Sequence, residues 1–220
     1  MPAQAIDGIF YVVVLIMSIV IHEVAHGYSA YLLGDDTAKL NGRLTLNPIK
    51  HLDPFGSVIL PLLLYFTTAG SFLIGWAKPV PYNPANLRKG RMGNLIVAIS
   101  GIGANLTIAI IFGLLMKFGP MIGIPLYNLD GITANPFYNI TTIIVMINLV
   151  LALFNLIPIP PLDGSKVLFA LLPFKYRYVE NFLERWGMII LLLFIIFLWS
   201  KVAPIVYIVF NLITGGMMWL

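Results

Sequence analysis

The residues with the clearest chemical potential form the motif HEVAH at positions 22–26. On a helix, residues four apart share a face, so His22 and His26 can bind one metal ion together. Glu23 follows the first histidine and can reach a water molecule at that metal as a general base. The spacing therefore predicts a zinc centre with hydrolytic chemistry.

The motif also occurs by chance, and a pair of histidines can simply be hydrogen-bonded within a core. The surrounding sequence argues against that interpretation, because the motif lies in an apolar stretch from about Ile6 to Leu33. Ionisable side chains in a membrane helix are costly and persist where they face a protein interior and have a partner or a function. The location therefore favours a metal site.

A catalytic zinc site of this type needs a third protein ligand and one open coordination position. Most acidic residues lie at segment ends or in links: Asp7, Asp35, Asp36, Asp53, Asp130, Glu180 and Glu184. Asp163 is the stronger choice, because it closes the run NLIPIPPLDG at 155–164, whose prolines must end a helix. Irregular backbone at membrane depth is tolerated where it is buried in protein or lines a cavity. We therefore expect Asp163 beside His22 and His26.

The composition places these residues in a membrane protein. The 220-residue chain is 60% hydrophobic and 10% charged, with a mean hydropathy of +0.94, whereas a soluble domain is about 25% charged. This excludes a soluble enzyme, a nucleic-acid-binding domain and a disordered chain. The sequence has no cysteine, so any metal must be held by His, Asp or Glu.

The hydropathy pattern predicts an all-α polytopic membrane bundle of about five to six segments, forming one domain over residues 1–220. The segments are expected near residues 6–33, 57–76, 93–118, 137–157 and 186–200, with a doubtful sixth at 202–220. No basic region precedes the first segment, so we interpret it as a retained membrane segment instead of a cleaved signal.

Lysine and arginine are unevenly distributed among the links. They cluster at residues 77–92 and 166–185, whereas residues 119–136 contain neither. The positive-inside rule places the two basic links in the cytoplasm and residues 119–136 outside. The net charge of +4 is attributed to this bias and not to nucleic-acid binding.

The link at residues 34–56 is polar and rich in turn residues. Alternation over residues 42–46 predicts a short strand in a β-hairpin-like loop. If this link is also cytoplasmic, the segment 57–76 must enter and leave the membrane on one side as a re-entrant hairpin, for which Pro61 and Gly70 are suitable.

Four further residues near these motifs also need an interpretation. His51 is interpreted as a locally hydrogen-bonded loop histidine more readily than as a fourth ligand, because a catalytic zinc keeps one position open. Asn148 either lines the site or forms a hydrogen bond between helices. Gly101 and Gly103 are expected to allow close helix packing.

Two motifs give the sequence a resemblance to a known family. HEVAH at 22–26 and NLIPIPPLDG at 155–164 resemble the paired metal motifs of the site-2 protease family of intramembrane zinc metalloproteases. GRLTLNPIKHLDPFGS at 42–57 and GWAKPVPYNPANLR at 75–88 are similar to its compact bacterial branch. The resemblance implies a catalytic core without regulatory domains.

The resemblance also implies roles for individual residues. His22, His26 and Asp163 would bind one Zn²⁺ per chain, and Glu23 would be the catalytic base.

Two asparagines complete the implied catalytic set. Asn155 matches the asparagine of the second metal motif and would orient substrate or help hold the oxyanion. Asn105, in SGIGANL at 100–106, matches the asparagine of a third-helix motif and is expected to act with it.

The implied function is an endopeptidase that cleaves transmembrane segments of membrane proteins. Its partners would be a transmembrane substrate protein and the lipid bilayer, with no nucleic acid, and its oligomeric state stays open. Its place would be the plasma (inner) membrane of a prokaryote, with the active site towards the cytoplasm.

The alternatives are a metal-ion transporter and a non-catalytic metal-binding membrane protein. Transport predicts repeated halves, and no repeat is visible. A structural zinc closes all four positions with protein ligands, and only three good ligands are evident.

Overall fold

The computed structural model of the protein describes residues 3–59, 77–128 and 135–216, together with Leu63 and Thr67. These residues are mostly helical and contain no sheet. The helices in this part of the chain are α1 (Ala3–Leu32), α2 (Thr37–Leu40), α3 (Gly90–Phe118), α4 (Pro136–Asn155), α5 (Asp163–Leu171), α6 (Arg177–Phe197) and α7 (Trp199–Thr214). Short 3-10 turns are Pro48–His51, Pro84–Asn86, Gly119–Ile122 and Phe174–Tyr176, and Pro54–Ile59 is a π-helical turn.

Three helices are long and apolar enough to cross a membrane, namely Ile9–Leu32, Gly90–Ile122 and Pro136–Asn155. They correspond to the first, third and fourth predicted segments, which are confirmed. A fourth span arises if Phe174–Phe197 and Trp199–Thr214, bent by 74° at Leu198, form one broken span. The expected count of five to six is therefore not confirmed within the described ranges.

The short strand expected at residues 42–46 is not formed, so that expectation was wrong. These residues are turn and irregular backbone. The reason lies in Arg43, which is 7% exposed and donates through Nη2 to the carbonyl oxygens of Lys78 and Pro79, at 2.7 and 3.3 Å. The Arg43 side chain thus joins the link at 34–56 to the link at 77–89.

The predicted re-entrant segment 57–76 lies largely outside the described residues, but its flanks are well defined. The Lys78 N–H donates to the carbonyl of His51 at 2.9 Å. The Arg88 N–H likewise donates to the carbonyl of Leu33, just after the end of α1. The links at 33–56 and 77–89 therefore lie together at one end of the helices.

Helix boundaries follow local chemistry. α1 ends before Gly34, whose φ of +102° suits glycine. α4 begins with Pro136 in its first turn, and the Asn135 side chain accepts from the Phe137 N–H. α4 ends before the prolines that start at Pro158, since these cannot continue a helix.

Helix α3 is central in this part of the fold and packs against α1, α4, α5 and α7. One core cluster joins α3, α4 and α7 through buried side chains that include Met116, Leu149 and Phe210. The HEVAH motif at 22–26 on α1 therefore packs against a helix that several others hold in place. This packing limits movement of the motif.

Candidate metal centre

Three side chains from two distant motifs converge at the interface of α1, α3 and α5. His22 Nε2 and His26 Nε2 lie 3.0 and 2.9 Å from Asp163 Oδ2, and 3.0 Å from each other. All three residues are buried, with exposures of 5–6%. The structure thus brings together the three residues that the sequence predicted as ligands.

The outer nitrogens of both histidines are held by acceptors. His26 Nδ1 lies 2.7 Å from the Val97 carbonyl oxygen, and His22 Nδ1 lies 2.6 Å from Asn105 Oδ1. Each neutral ring therefore carries its proton on Nδ1 and presents a lone pair on Nε2. Hydrogen bonds of this kind commonly orient histidines that ligate a metal.

The inner face of the cluster is suited to a cation. Two imidazole lone pairs and one carboxylate oxygen point at a common centre, and these three acceptors would repel one another without positive charge between them. Donor atoms about 2.1 Å from a tetrahedral zinc lie about 3.4 Å apart, so the observed separations of 2.9–3.0 Å need to widen by only about 0.4 Å to hold the ion. The donor set of two histidines and one carboxylate therefore fits Zn²⁺ with one position left for another ligand.

Gly101 on α3 makes room for this cluster. A Cβ at this position would lie 2.5 Å from His26 Nε2 and 2.7 Å from His22 Cε1. Gly101 thus provides the close approach that was expected, whereas a Cβ at Gly103 would have no atom of the described residues within 4 Å. The packing interpretation holds for the first glycine and not for the second.

Asp163 reaches the cluster through the broken backbone after α4. Gly164 follows it with no room for a side chain, because a Cβ there would collide with the Leu156 carbonyl. The Ser165 hydroxyl donates to the Leu162 carbonyl at 2.7 Å and caps the turn into α5.

Lys166 binds the other oxygen of the same carboxylate. Its Nζ lies 3.0 Å from Asp163 Oδ1, one helical turn further along α5. Burial alone would lower the pKa of the Lys166 ammonium, but the charge of Asp163 raises it above its ordinary value. Lys166 is thus a cation at the edge of the centre.

A cavity of about 250 Å³ opens beside the cluster. Its polar lining consists of His22, Glu23, His26, Tyr82, Asn155, Asp163 and Lys166, and its apolar lining of Ile19, Pro79, Val80, Leu151 and Pro161. Glu23 therefore shares one cavity with the proposed ligands. Its Oε2 accepts a hydrogen bond of 2.8 Å from the Val80 N–H.

The two asparagines expected in catalysis lie in different places. Asn155 lines the cavity at the end of α4 and donates to the Leu151 carbonyl at 3.0 Å. Asn105 is fully buried behind His22, and its amide nitrogen donates to the Ser18 carbonyl and to Asn148 Oδ1, at 3.3 and 2.8 Å. This placement favours orientation of His22 over contact with a substrate.

Asn148 and His51 form structural hydrogen bonds, which is the second interpretation of Asn148 and the first of His51 given above. Asn148 is 1% exposed and donates to Ser18 Oγ, so it links α4 to α1. His51 Nε2 bonds to the Thr45 carbonyl oxygen at 2.8 Å, which is the local hydrogen bond that was expected for a loop histidine.

Three features of the site were missed from the sequence. Ser18 stands one turn before His22, and Lys166 one turn after Asp163, so helical spacing from the motifs was an available signal for both. The Val80 contact uses a backbone N–H, which every residue except proline has, so the side chain at this position gives no signal for it.

Two histidines and a carboxylate around one point, with a glutamate in the same cavity and apolar helices around them, define the class of the zinc metalloproteases. Comparisons with known proteins agree. The profile described as Peptidase family M50 matches residues 115–198, which include Asn155 and Asp163.

Two relatives extend this likeness over most of the chain. YwhC of Bacillus subtilis, named as a candidate zinc metalloprotease, is 38% identical over 208 residues, which cover 94% of this chain and 87% of the relative. Rip2 of Mycolicibacterium smegmatis, named likewise, is 29% identical over 192 residues, 86% of this chain and 68% of the relative. The chain belongs to peptidase family M50, the site-2 protease family of zinc metalloproteases. No solved structure gives a significant match.

Proposed function

We propose that the protein is an intramembrane endopeptidase that cleaves peptide bonds within transmembrane segments of membrane proteins. His22, His26 and Asp163 are the proposed zinc ligands, and Glu23 is the proposed catalytic base. The observation that carries the proposal is the convergence of His22, His26 and Asp163 within 3.0 Å of one another, inside helices long enough to span a membrane.

The depth of the cluster supports cleavage inside the bilayer. Gly101, which abuts both histidines, lies eleven residues into α3, or about 16 Å along its axis at 1.5 Å per residue. His26 lies six residues before the end of α1, or about 9 Å from that end. Since the hydrocarbon core is about 30 Å thick, these distances favour a position below the membrane surface.

The proposed chemistry divides between the metal and the chain. Bound zinc would supply a Lewis acid that polarises the scissile carbonyl and lowers the pKa of water to about 7. Glu23 takes a proton from the attacking water and delivers it to the leaving nitrogen. The Val80 N–H holds Glu23 Oε2, which leaves Oε1 for this transfer.

Asn155 is the proposed substrate-positioning residue. It lines the same cavity as Glu23, and its amide can donate to a substrate carbonyl or to the developing oxyanion. A helical substrate hides its peptide bonds, so the segment must unwind before it enters the cavity.

We further propose that the site opens towards the cytoplasm. Arg91 Nη2 donates to the Phe169 carbonyl at 2.8 Å, so the two lysine- and arginine-rich links lie at the same end of the helices. Asp163 lies at that end too, since it follows α4. The positive-inside rule assigns this end to the cytoplasmic face.

The test is cleavage of membrane-embedded substrates by reconstituted protein. Wild type, Glu23→Gln and Glu184→Gln are placed in lipid vesicles with a panel of single-span segments, and cut positions are mapped by mass spectrometry. Glu184 is an exposed acid on α6 and serves as the matched control.

We expect wild type and Glu184→Gln to cut within the apolar span, and Glu23→Gln to cut nothing. Cuts confined to the water-exposed flanks would contradict intramembrane cleavage. Cleavage that persists in Glu23→Gln would remove Glu23 as the base.

A further inference from the structure

The two oxygens of the Asp163 carboxylate have different partners. Oδ2 faces both histidine Nε2 atoms, at 3.0 and 2.9 Å, whereas Oδ1 lies 3.0 Å from Lys166 Nζ. A lysine ammonium carries three donors and no acceptor, so this contact is a charge-assisted hydrogen bond. One oxygen is thus directed at the cluster centre and the other is engaged elsewhere.

Lys166 is held where it makes this contact. It stands one turn after Asp163 on α5, and its Nζ lies 5.6 Å from the centroid of the Tyr82 ring. The Tyr82 hydroxyl donates to Asn94 Oδ1 on α3 at 2.7 Å, which fixes the ring. The lysine side chain is about one third exposed, at 34%, and lines the cavity.

The different partners of the two Asp163 oxygens matter because a carboxylate can bind a metal ion through one oxygen or through both. A catalytic zinc with three protein ligands keeps its fourth position for water or substrate. If Oδ1 also bound the metal, Asp163 would fill that fourth position itself. An ammonium on Oδ1 prevents this.

We propose that Lys166 is a positioning residue that keeps Asp163 a one-oxygen ligand and so keeps the reactive coordination position open. The inference rests on the proposed function, because it takes His22, His26 and Asp163 as the metal ligands. It assigns to the lysine a role in metal geometry and not in substrate contact.

The experiment replaces zinc by Co²⁺, whose visible absorption reports coordination number, in wild type, Lys166→Met and Lys166→Arg. Methionine approximates the length of lysine without its charge, and arginine keeps the charge and the donors. We expect wild type and Lys166→Arg to give the intense absorption of four-coordinate cobalt. Lys166→Met should still bind Co²⁺ but give bands shifted from those of wild type, because the second carboxylate oxygen would replace water as the fourth ligand.

Activity of the zinc forms provides a second readout. In Lys166→Met we expect kcat to fall about 10- to 100-fold, the range found when groups around metal ligands are removed. KM should change little, because Lys166 is not assigned to substrate. A lysine that merely supported the fold would lower metal content and kcat together.

Two results for Lys166→Met would overturn the inference. One is an absorption spectrum identical to that of wild type. The other is loss of Co²⁺ with the fold intact. That result would show that Lys166 is required for metal affinity and does not control how many oxygens of Asp163 bind the metal.

X-ray absorption of zinc in the wild-type protein tests the inference without any variant. It should find a single carboxylate oxygen on zinc, and a chelating carboxylate would contradict the inference. A wild-type protein that binds metal with this geometry but cuts no segment would count against the proposed function alone. A wild-type protein that binds no metal would overturn both.

Discussion

The backbone N–H of Val80 donates a 2.8 Å hydrogen bond to Glu23 Oε2 across 57 residues of sequence. Val80 belongs to the extended link at 77–83, and Arg43 donates to the carbonyls of Lys78 and Pro79 in the same link. Gly27 allows the link to approach α1, because a Cβ there would lie 2.6 Å from Val80 Cγ1. The proposed base is therefore positioned by this link as well as by its own helix.

Removal of this N–H should impair proton transfer without loss of metal. Val80→Pro lacks the donor, whereas Val80→Ala keeps it and serves as the control. We expect kcat to fall about 100-fold in Val80→Pro, as is typical when a catalytic group is misplaced by about 1 Å. Zinc content should match wild type in both variants. Equal kcat in Val80→Pro and Val80→Ala would show that the hydrogen bond is dispensable.

The contact of Gly101 with both histidines predicts an unequal effect of alanine at two neighbouring glycines. Gly101→Ala would place a methyl group 2.5 Å from His26 Nε2, so the ligands must shift and zinc content should drop. Overpacking of this kind typically costs about 1–3 kcal/mol of stability. Gly103→Ala points into open space and should keep both zinc and thermal stability. Full zinc content in a folded Gly101→Ala protein would contradict the observed geometry.

Asn105 is predicted to act through His22. Asn105→Ala removes the acceptor on His22 Nδ1, so zinc affinity should fall about 10- to 100-fold. Asn148→Ala removes the support of Asn105 and the contact with Ser18 but leaves the acceptor on His22 Nδ1, so it should have a smaller effect. Competition with a chelator measures both affinities. If Asn105→Ala instead raised KM at unchanged zinc affinity, Asn105 would be a substrate-binding residue after all.

The link that carries Val80 is anchored at Asp35, which predicts a pH dependence of stability. Asp35 is fully buried and accepts from the Thr37 hydroxyl and from the Asn83 N–H, at 2.6 and 2.7 Å, and from Asn86 Nδ2. Burial alone would raise the pKa of the Asp35 carboxyl, but these hydrogen bonds lower it below its ordinary value. A lowered folded-state pKa stabilises the fold fully above the unfolded pKa of about 3.9, and this stabilisation is lost as the pH falls towards the folded pKa.

Thermal unfolding of Asp35→Asn and of Asp36→Asn measures how much the ionised Asp35 carboxylate stabilises the fold. Asp36 is exposed and its side chain makes no capping hydrogen bond, so its variant should match wild type. At pH 7 we expect Asp35→Asn to lose about 1–3 kcal/mol, the usual cost for a buried acceptor. The difference from wild type should shrink as the pH falls below about 3.9. A difference that stays constant down to pH 3 would exclude the ionised carboxylate as its source.

The parts of the site that metal chemistry dictates were predictable from sequence. HEVAH specifies the residue types and the helical spacing at once, and an acid after a proline-broken helix has few competitors in so apolar a chain. The structure brings these atoms within 3.0 Å of one another. The three long spans were predictable for a similar reason, since about 20 apolar residues are required to cross a bilayer.

The parts set by tertiary packing were not predictable. Five alternating residues at 42–46 are too few to specify a strand, and Arg43 turned inwards to bind two carbonyls. Asn105 was expected near substrate because a motif places it near the site, but burial decides which side of His22 it occupies. The predicted span at 186–200 is divided by the bend at Leu198, which no glycine or proline marks in the sequence.

The most direct test of the account measures zinc per chain and cleavage in the same purified samples of wild type, Glu23→Gln and Asp163→Ala. We expect one zinc ion per chain in wild type and Glu23→Gln, much less in Asp163→Ala, and cleavage of a transmembrane segment by wild type alone. Full zinc content in Asp163→Ala, or cleavage by Glu23→Gln, would contradict the assignment of this centre.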